Sequence, residues 1–332
     1  MTTVPRVTVV VVCWNGAHLL PACLDGVARQ ELEGGVDVWV VDNASADGTV
    51  EVLARDYPQV RVLRAPRNLG FAGGNDLALD QVSSDYVALL NNDAVPDRGW
   101  LAMLVEALDS APECAVGAPK VLFAAQDGPV PVVNSVGGLV DRTGRASDRG
   151  FGAPDDGRWD VGDEVFYAPG TACLIRTEAL RQVGTFDDRY FLYYEDVDLC
   201  CRLRLGGWTV RYVPSARVRH LHGASSGSVH AYHDARNRLV TLVKSAPTGR
   251  ALKECLQVPL TAASLVVRGL RTSGADRAQR WATARVLLRA WGGFLRLLPH
   301  AVRQRRHSPA GARRRLEQDR MRLCDRPPGL DT

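Results

Sequence analysis

Asn91-Asn92-Asp93 closes the apolar run Tyr86–Leu90, which sets one carboxylate at the end of a strand buried on both faces. A hard divalent cation takes oxygen ligands, and Mg2+ or Mn2+ needs only one or two from the protein when phosphate oxygens supply the rest. Asp93 is placed for that task, and the neutral Asn91 and Asn92 can hydrogen-bond water or a ribose. Further along, Tyr193-Tyr194-Glu195-Asp196-Val197-Asp198 puts three carboxylates beside aromatic rings. Like charges and partial burial raise the pKa of at least one of them, which makes a proton acceptor for an attacking hydroxyl. His220 and His222 follow a strand-like run and share one side of it, and His220 is the favoured metal or phosphate contact. Taken singly each segment has a plainer reading. Asn-Asn-Asp makes turns, acids suit a helix N-terminus, and a lone His is usually structural. Together they point to metal-assisted displacement on a phosphate-bearing substrate.

Such groups need a scaffold, and the chain supplies alternating strands and helices. Val7–Cys13, Val36–Val41, Val60–Leu63 and Tyr86–Leu90 read as strands. Residues 18–29, Thr49–Asp56, Asn68–Leu79 (a Gly-rich loop entering a helix) and Trp100–Leu108 separate or follow them. The alternation predicts an α/β fold with a mostly parallel sheet flanked by helices. Ligands of such sheets sit beyond the carboxyl ends of the strands, where Cys13–Asn15, Asp42–Ser45 and Asn91–Asp93 fall. Residues 124–165, rich in Gly, Pro and Asp, read as a long loop with short strands over the site. Phe166–Ile175 reads as a strand, Glu178–Val183 and Tyr194–Leu205 as helices, and Val210–Val213 and Ala216–His220 as strands.

Residues 1–244 carry 23 Lys and Arg against 31 Asp and Glu, a net −8, whereas residues 245–332 carry 18 against 6, a net +12. A basic tail on an acidic body suits an anionic partner such as lipid headgroups. From about Arg236 to Arg306 the pattern is helical, cut by Pro247, Pro259 and Pro299. Leu287, Leu288, Trp291, Phe294, Leu295, Leu297 and Leu298 form an apolar face with Arg285, Arg289, Arg296, Arg303, Arg305 and Arg306 around it. A helix in a membrane interface and a helix packed on the body fit that composition equally. Residues 307–332 read as a frayed end. The eight cysteines contain no CxxC pair, which excludes zinc ribbons and fits a reducing compartment. Neither a signal peptide nor a run long enough to span a bilayer is legible, so the expected setting is the cytoplasm, with peripheral contact on the inner face of the plasma membrane. Nucleic-acid motifs do not interleave the arginines, so no nucleic-acid partner is expected.

The ordered set VVVVCWNG, VVDNASADGT, RNLGFAGGND, LLNND, GTACLIRTEAL, VGTFDDRYFLYYEDVDLCCRLRLGGW and VRHLHGASS resembles family 2 glycosyltransferases of the GT-A fold, over about residues 6–240. More narrowly it resembles their rhamnosyltransferase-like branch. The resemblance implies a catalytic unit over 1–240, with a nucleotide half (1–123) and an acceptor half (124–240). A basic helical extension (241–306) and a flexible tail (307–332) would follow. It implies that Asp42 contacts the nucleotide base, that Asn15 belongs to the nucleoside loop, and that Asn68, Gly70 and Asn75 line the nucleotide pocket. Asn92 stands beside them. Asp93 matches the last acid of the metal motif, Asp196 the catalytic base, His220 a late metal or diphosphate ligand, and Arg202 an arginine near the donor phosphates, with pairing to nearby acids as its other reading. The family motif usually carries two or three acids where this chain has only Asp93, which gives His220 more to do. Val12 replaces a hydroxyl residue of some relatives. The implied reaction is inverting, metal-assisted transfer of a sugar, L-rhamnose from dTDP-L-rhamnose by resemblance, to a glycan or polyprenyl-linked acceptor of the cell envelope. UDP-sugar donors and a soluble small-molecule acceptor are rivals within the class. A nucleotidyltransferase is the rival outside it, although Cys13–Leu20 holds no Lys or Arg.

Overall fold

The computed structural model describes residues 4–124, 130–221 and 228–324. The nucleotide half runs β1 (Val7–Cys13), α1 (Leu20–Ala28), β2 (Val36–Asp42), α2 (Thr49–Asp56), β3 (Arg61–Arg64), α3 (Gly70–Leu79) and β4 (Tyr86–Leu90). Then come β5 (Ala94–Pro96), α4 (Trp100–Asp109), β6 (Cys114–Phe123), β7 (Val133–Ser135), β8 (Gly138–Val140) and β9 (Ala146–Asp148). The chain continues through β10 (Ala172–Arg176), α5 (Thr177–Val183), a 3-10 turn (Asp188–Tyr190), α6 (Glu195–Leu205) and β11 (Thr209–His220). Four helices follow: α7 (Ser228–Ser245), α8 (Thr248–Leu270), α9 (Gly274–Arg305) and α10 (Ala310–Cys324).

The main sheet has the order β3-β2-β1-β4-β10-β6-β11-β5, with β7 on β6. It is parallel over β3-β2-β1-β4. Beyond β4 it is mixed, because β10 runs antiparallel to both β4 and β6. The β-branched run of β1 is buried on both faces for a visible reason. Val7, Val9 and Val11 join Leu20, Leu24, Trp100 and Leu104 of α1 and α4 in one core. Val10 turns to the other face and joins a second core with Ala72 of α3, Leu199 of α6 and Leu239 of α7. Period-2 alternation therefore feeds two helical layers at once.

The C-terminal helices differ from the sequence expectation in two ways. Pro247 does separate α7 from α8, but Pro259 and Pro299 lie inside α8 and α9. Each helix is long enough to bridge the one backbone donor that a proline removes. The expected frayed end is helical over α10, where Leu316, Arg320 and Leu323 are buried; residues 325–332 lie outside the described residues. On α9, Phe294 is buried, and Leu287, Trp291, Leu297 and Leu298 pack on the core, while Leu288 and Leu295 stay exposed, so most of this apolar face covers the body.

Candidate active site

The carboxyl ends of β2, β1 and β4 stand side by side, with Cys13 in register with Asp42. The loops that leave them are tied together by side chains. Asn15, at φ +52, accepts from the Ala46 N–H through Oδ1 (2.8 Å), and its own N–H donates to Ser45 Oγ (3.0 Å). Asp42 is buried, accepts from the Ser45 N–H (3.0 Å), and faces Arg64 at 3.8 Å. Asn68 Oδ1 takes the Gly70 N–H (2.8 Å) and Asn43 Nδ2 (3.2 Å). Asn92 Nδ2 reaches Cys13 Sγ at 3.4 Å, and a Cβ on Gly16 would stand 2.1 Å from that nitrogen. Asn15, Asp42, Asn68, Gly70 and Asn92 thus border one rim. Asn75 does not share it. Its side chain is buried, and its amide donates to the Phe71 carbonyl one turn back (2.9 Å).

Asp93 meets His220 directly. β11 pairs with β5 so that His220 lies opposite Ala94, and His220 Nε2 stands 3.0 Å from Asp93 Oδ1. The other ring nitrogen is 3.4 Å from Asn134 Oδ1 of β7. Adjacent ligand atoms on an octahedral cation with bonds of about 2.1 Å are roughly 3.0 Å apart, so the pair fits one edge of such a shell. Among the described residues no three His, Cys, Asp or Glu side chains cluster as a metal cage. A cation here would draw its remaining ligands from diphosphate oxygens and water, the usual habit of Mg2+. His222, the second candidate of its pair, lies outside the described residues.

The three acids of the Glu-Asp-Val-Asp run separate by environment. Glu195 is buried, and its Oε2 has no hydrogen-bond partner among the described residues. Burial, then the neighbouring Asp196 carboxylate, push its pKa well above the carboxylate range. Asp196 is also raised by burial, against the opposing pull of N–H donors from Gly170 (3.1 Å) and Val197 (2.7 Å). Burial would raise Asp198 too, but Lys244 at 2.7 Å and Arg202 at 2.9 Å outweigh it and hold the carboxyl below its usual value. Asp196 is therefore the member suited to accept a proton, and Asp198 is a fixed anion in a structural network. Arg202 belongs to that network. Its guanidinium donates to Asp198 and to the carbonyls of Val183 (2.8 Å), Gly184 (2.9 Å) and Thr185 (2.6 Å). These bonds engage four of its five N–H donors, and the geometry lends the expected role at the donor phosphates no support.

Two elements escape the sequence reading. Asp148 on β9 is pushed to about 7 by burial and then by the Asp196 carboxylate, with Ser135 and His220 pulling it down. The Asp196 carboxylate and the His220 ring therefore both act on it. Nothing in its Gly- and Asp-rich surroundings marks it in the sequence. The second element is Asn237 of α7, fully buried, whose Nδ2 donates to the carbonyls of Tyr190 (3.0 Å), Leu192 (2.9 Å) and Tyr193 (2.6 Å). That loop carries Phe191, Tyr193 and Tyr194 at φ between +65 and +70 and delivers Asp196. The Phe191 carbonyl in turn accepts from the Phe71 N–H (2.7 Å), so the base loop closes against the Gly-rich segment. Residues 44–47 apart in sequence make these bonds, so no local pattern reveals them.

A half-parallel sheet with its acids at the strand ends, and with a carboxylate loop folded back over them, defines a GT-A glycosyltransferase. The chain belongs to glycosyl transferase family 2, whose profile matches residues 8–184, and this sets aside the nucleotidyltransferase reading. The N-acetylglucosaminyl-diphospho-decaprenol L-rhamnosyltransferase of Mycobacterium tuberculosis is 32% identical over 233 residues, 64% of this chain and 75% of that protein. The pre-mycofactocin glycosyltransferase of the same organism is 32% identical over 193 residues, 57% of this chain and 38% of that protein. The mannosyltransferase PcManGT of Pyrobaculum calidifontis, solved with GDP-Man and Mn2+, matches with a TM-score of 0.54 at 17% identity, over 89% of this chain and 88% of that one. This last likeness bears on the fold alone. Among the described residues no helix is long and apolar enough to cross a membrane.

Proposed function

We propose that the enzyme transfers L-rhamnose, with inversion, from dTDP-L-rhamnose to a sugar hydroxyl on a polyprenyl diphosphate carrier at a membrane surface. The observation that supports this best is the Asp93–His220 pair at the end of the parallel strands, His220 Nε2 standing 3.0 Å from Asp93 Oδ1. The L-rhamnosyltransferase relative supports the donor sugar and the lipid-linked acceptor. Asp42 and Asn15 would seat the nucleoside, with Asn68, Gly70 and Asn92 completing the rim. Asp93 and His220 would hold a divalent cation, Mg2+ or Mn2+, which when bound neutralises charge on the departing diphosphate. Asp196 takes the proton of the acceptor hydroxyl, and its raised pKa makes it a stronger base than an ordinary carboxylate. Glu195, kept neutral by burial, adds no second anion beside it. A single displacement inverts the anomeric carbon.

The test is nucleoside diphosphate release from dTDP-L-rhamnose and from UDP-sugars, with and without EDTA, in the presence of a polyprenyl-diphosphate-linked N-acetylglucosamine. Expected are release from dTDP-L-rhamnose, loss with EDTA, and a fall of roughly 10²–10⁴-fold for Asp196→Asn. Near-normal turnover by Asp196→Asn would overturn the assignment of the base. Unchanged metal affinity in Asp93→Ala and His220→Ala would remove the metal site. A soluble small-molecule acceptor is the second reading, favoured by the equal identity to the pre-mycofactocin enzyme. Turnover on such an acceptor alone would select it.

A further inference from the structure

Helix α8 has two apolar faces, and only one is covered. Ala251, Val258, Ala262 and Gly269 turn inward. On this side α9 lies so close that a Cβ on Gly269 would stand 2.4 Å from Trp281 Nε1. Leu252, Leu256, Leu260, Val267 and Leu270 turn outward, each between 51% and 66% exposed. On a regular helix these five fall within an arc of roughly 80° and a length of roughly 27 Å. Solvated helix faces do not carry a continuous row of leucines, and exposed patches of this kind mark interaction surfaces.

The charges around the row identify the partner. Lys253, Arg268 and Arg271 are exposed beside it. Residues 248–306 hold 12 Lys and Arg against two acids, Glu254 and Asp276. Glu254 is buried against Arg238 (3.1 Å), so α8 presents no acid outward. An apolar stripe edged by cations is the composition of a helix that lies in the headgroup boundary of an anionic bilayer. A second copy of the chain fits poorly, because pairing two such stripes brings like charges together.

We infer that the Leu252–Leu270 face of α8 seats the enzyme on an anionic lipid surface. The inference rests on the lipid-linked acceptor reading for its purpose, not for its physics. The sequence pattern leaves α9 open equally to this role and to packing on the body; most of its apolar side packs on the body, with Leu288, Leu295 and Val302 exposed, and α8 carries the longer free row. The site gains from this placement: α8 and α9 both pack on α7, the helix whose Asn237 holds the base loop. Docking α8 thus presents that loop on an element anchored to the bilayer, where a polyprenyl carrier lies.

The experiment is flotation of the full chain with acceptor-free vesicles of phosphatidylglycerol and phosphatidylethanolamine, against vesicles of phosphatidylcholine alone. Wild type floats with the anionic vesicles, and added salt weakens it. Leu256→Ser/Leu260→Ser lowers the partition coefficient at least roughly 30-fold. Lys253→Glu/Arg271→Glu lowers it on anionic vesicles only, and both variants keep wild-type donor affinity. Absence of flotation by wild type, or equal flotation by the leucine variant, overturns the inference. So does a wild-type dimer that the leucine variant converts to monomer without any lipid binding. Because the vesicles hold no acceptor, flotation by an enzyme that ignores polyprenyl-linked sugars keeps this surface and overturns only the acceptor reading.

Discussion

Asn237 offers the sharpest test of how the base is positioned. Its Nδ2 meets the carbonyls of Tyr190, Leu192 and Tyr193 at 2.6–3.0 Å in a buried setting. The Tyr190 carbonyl keeps a second donor, Arg236 Nη2 at 2.7 Å. Asn237→Ala therefore leaves two carbonyls, those of Leu192 and Tyr193, without this donor, at about 1–3 kcal/mol each when buried. The same bonds restrain residues at positive φ, a conformation that costs about 1–3 kcal/mol per residue and persists only when surroundings enforce it. Relaxation of the loop offsets part of the loss, so a net destabilisation of about 3 kcal/mol is expected. Misplacing Asp196 by about 1 Å lowers kcat roughly 100-fold, while donor affinity changes far less, because Asp42 ends β2 and Asn15 lies in the loop just after β1. Asn237→Asp gives the decisive sign. It keeps the shape and the Arg236 Nε bond (2.7 Å) but turns a donor into a carboxylate oxygen facing three carbonyl oxygens, so it is expected to be worse than Ala. Thermal unfolding and single-turnover kinetics on both variants measure this. An Asp variant equal to or better than the Ala variant in either measurement refutes the donor role.

Two further outcomes follow from the same loop. In Gly70→Ala, at φ +73, the new Cβ would lie 2.2 Å from the Phe191 carbonyl oxygen. The variant should lose roughly 2 kcal/mol or more and bind donor more weakly in calorimetry; wild-type stability would show that the close approach is not enforced. Asp187 is pushed up by burial, yet Lys244 and His300 more than offset this and hold it at about 2. Its folded pKa lies below the unfolded value of about 3.9, so it contributes about 2 kcal/mol that is complete above pH 4 and is lost as pH falls towards 2. The stability gap between wild type and Asp187→Asn, read by urea unfolding, should close over that window, and a gap independent of pH would discard the pairing as its source.

The sequence carries the nucleotide half in the open because the physics there is local. The valines of β1 and the Gly-rich entry to α3 need no distant partner to declare themselves, and Asp42 and Asp93 follow as the polar residues that end buried strands. Legibility fails where a role depends on a partner far along the chain. Asp148 lies in an aperiodic stretch, and only the fold brings it towards Asp196 and His220. Arg202 resembles a phosphate ligand until the carbonyls of residues 183–185 are seen to occupy it. Helix α9 is apolar on so much of its surface that its sequence cannot tell which side another helix will cover. On α8 the exposed leucines and the buried Val258 and Ala262 are both apolar, which blurs the single-faced periodicity a sequence reading relies on.

The division of the chain into a catalytic unit and a helical extension also takes a different meaning. Asn237 and Arg236 of α7 hold the backbone of residues 189–193. Lys244 of α7 and His300 of α9 both reach Asp187, at 3.0 and 2.6 Å. The Tyr190 hydroxyl bonds Asp198 (3.1 Å) and Thr241 of α7 (2.8 Å). Every one of these ties lands on the segment 187–198, which contains Asp196. A loop with three non-glycine residues in left-handed conformations cannot hold its own shape, so the helices after β11 supply the restraint that the acceptor half lacks. Of these ties Lys244, Thr241 and His300 come from the helical extension, so an influence on α9 or the end of α7 reaches residues 187–198 through single hydrogen bonds.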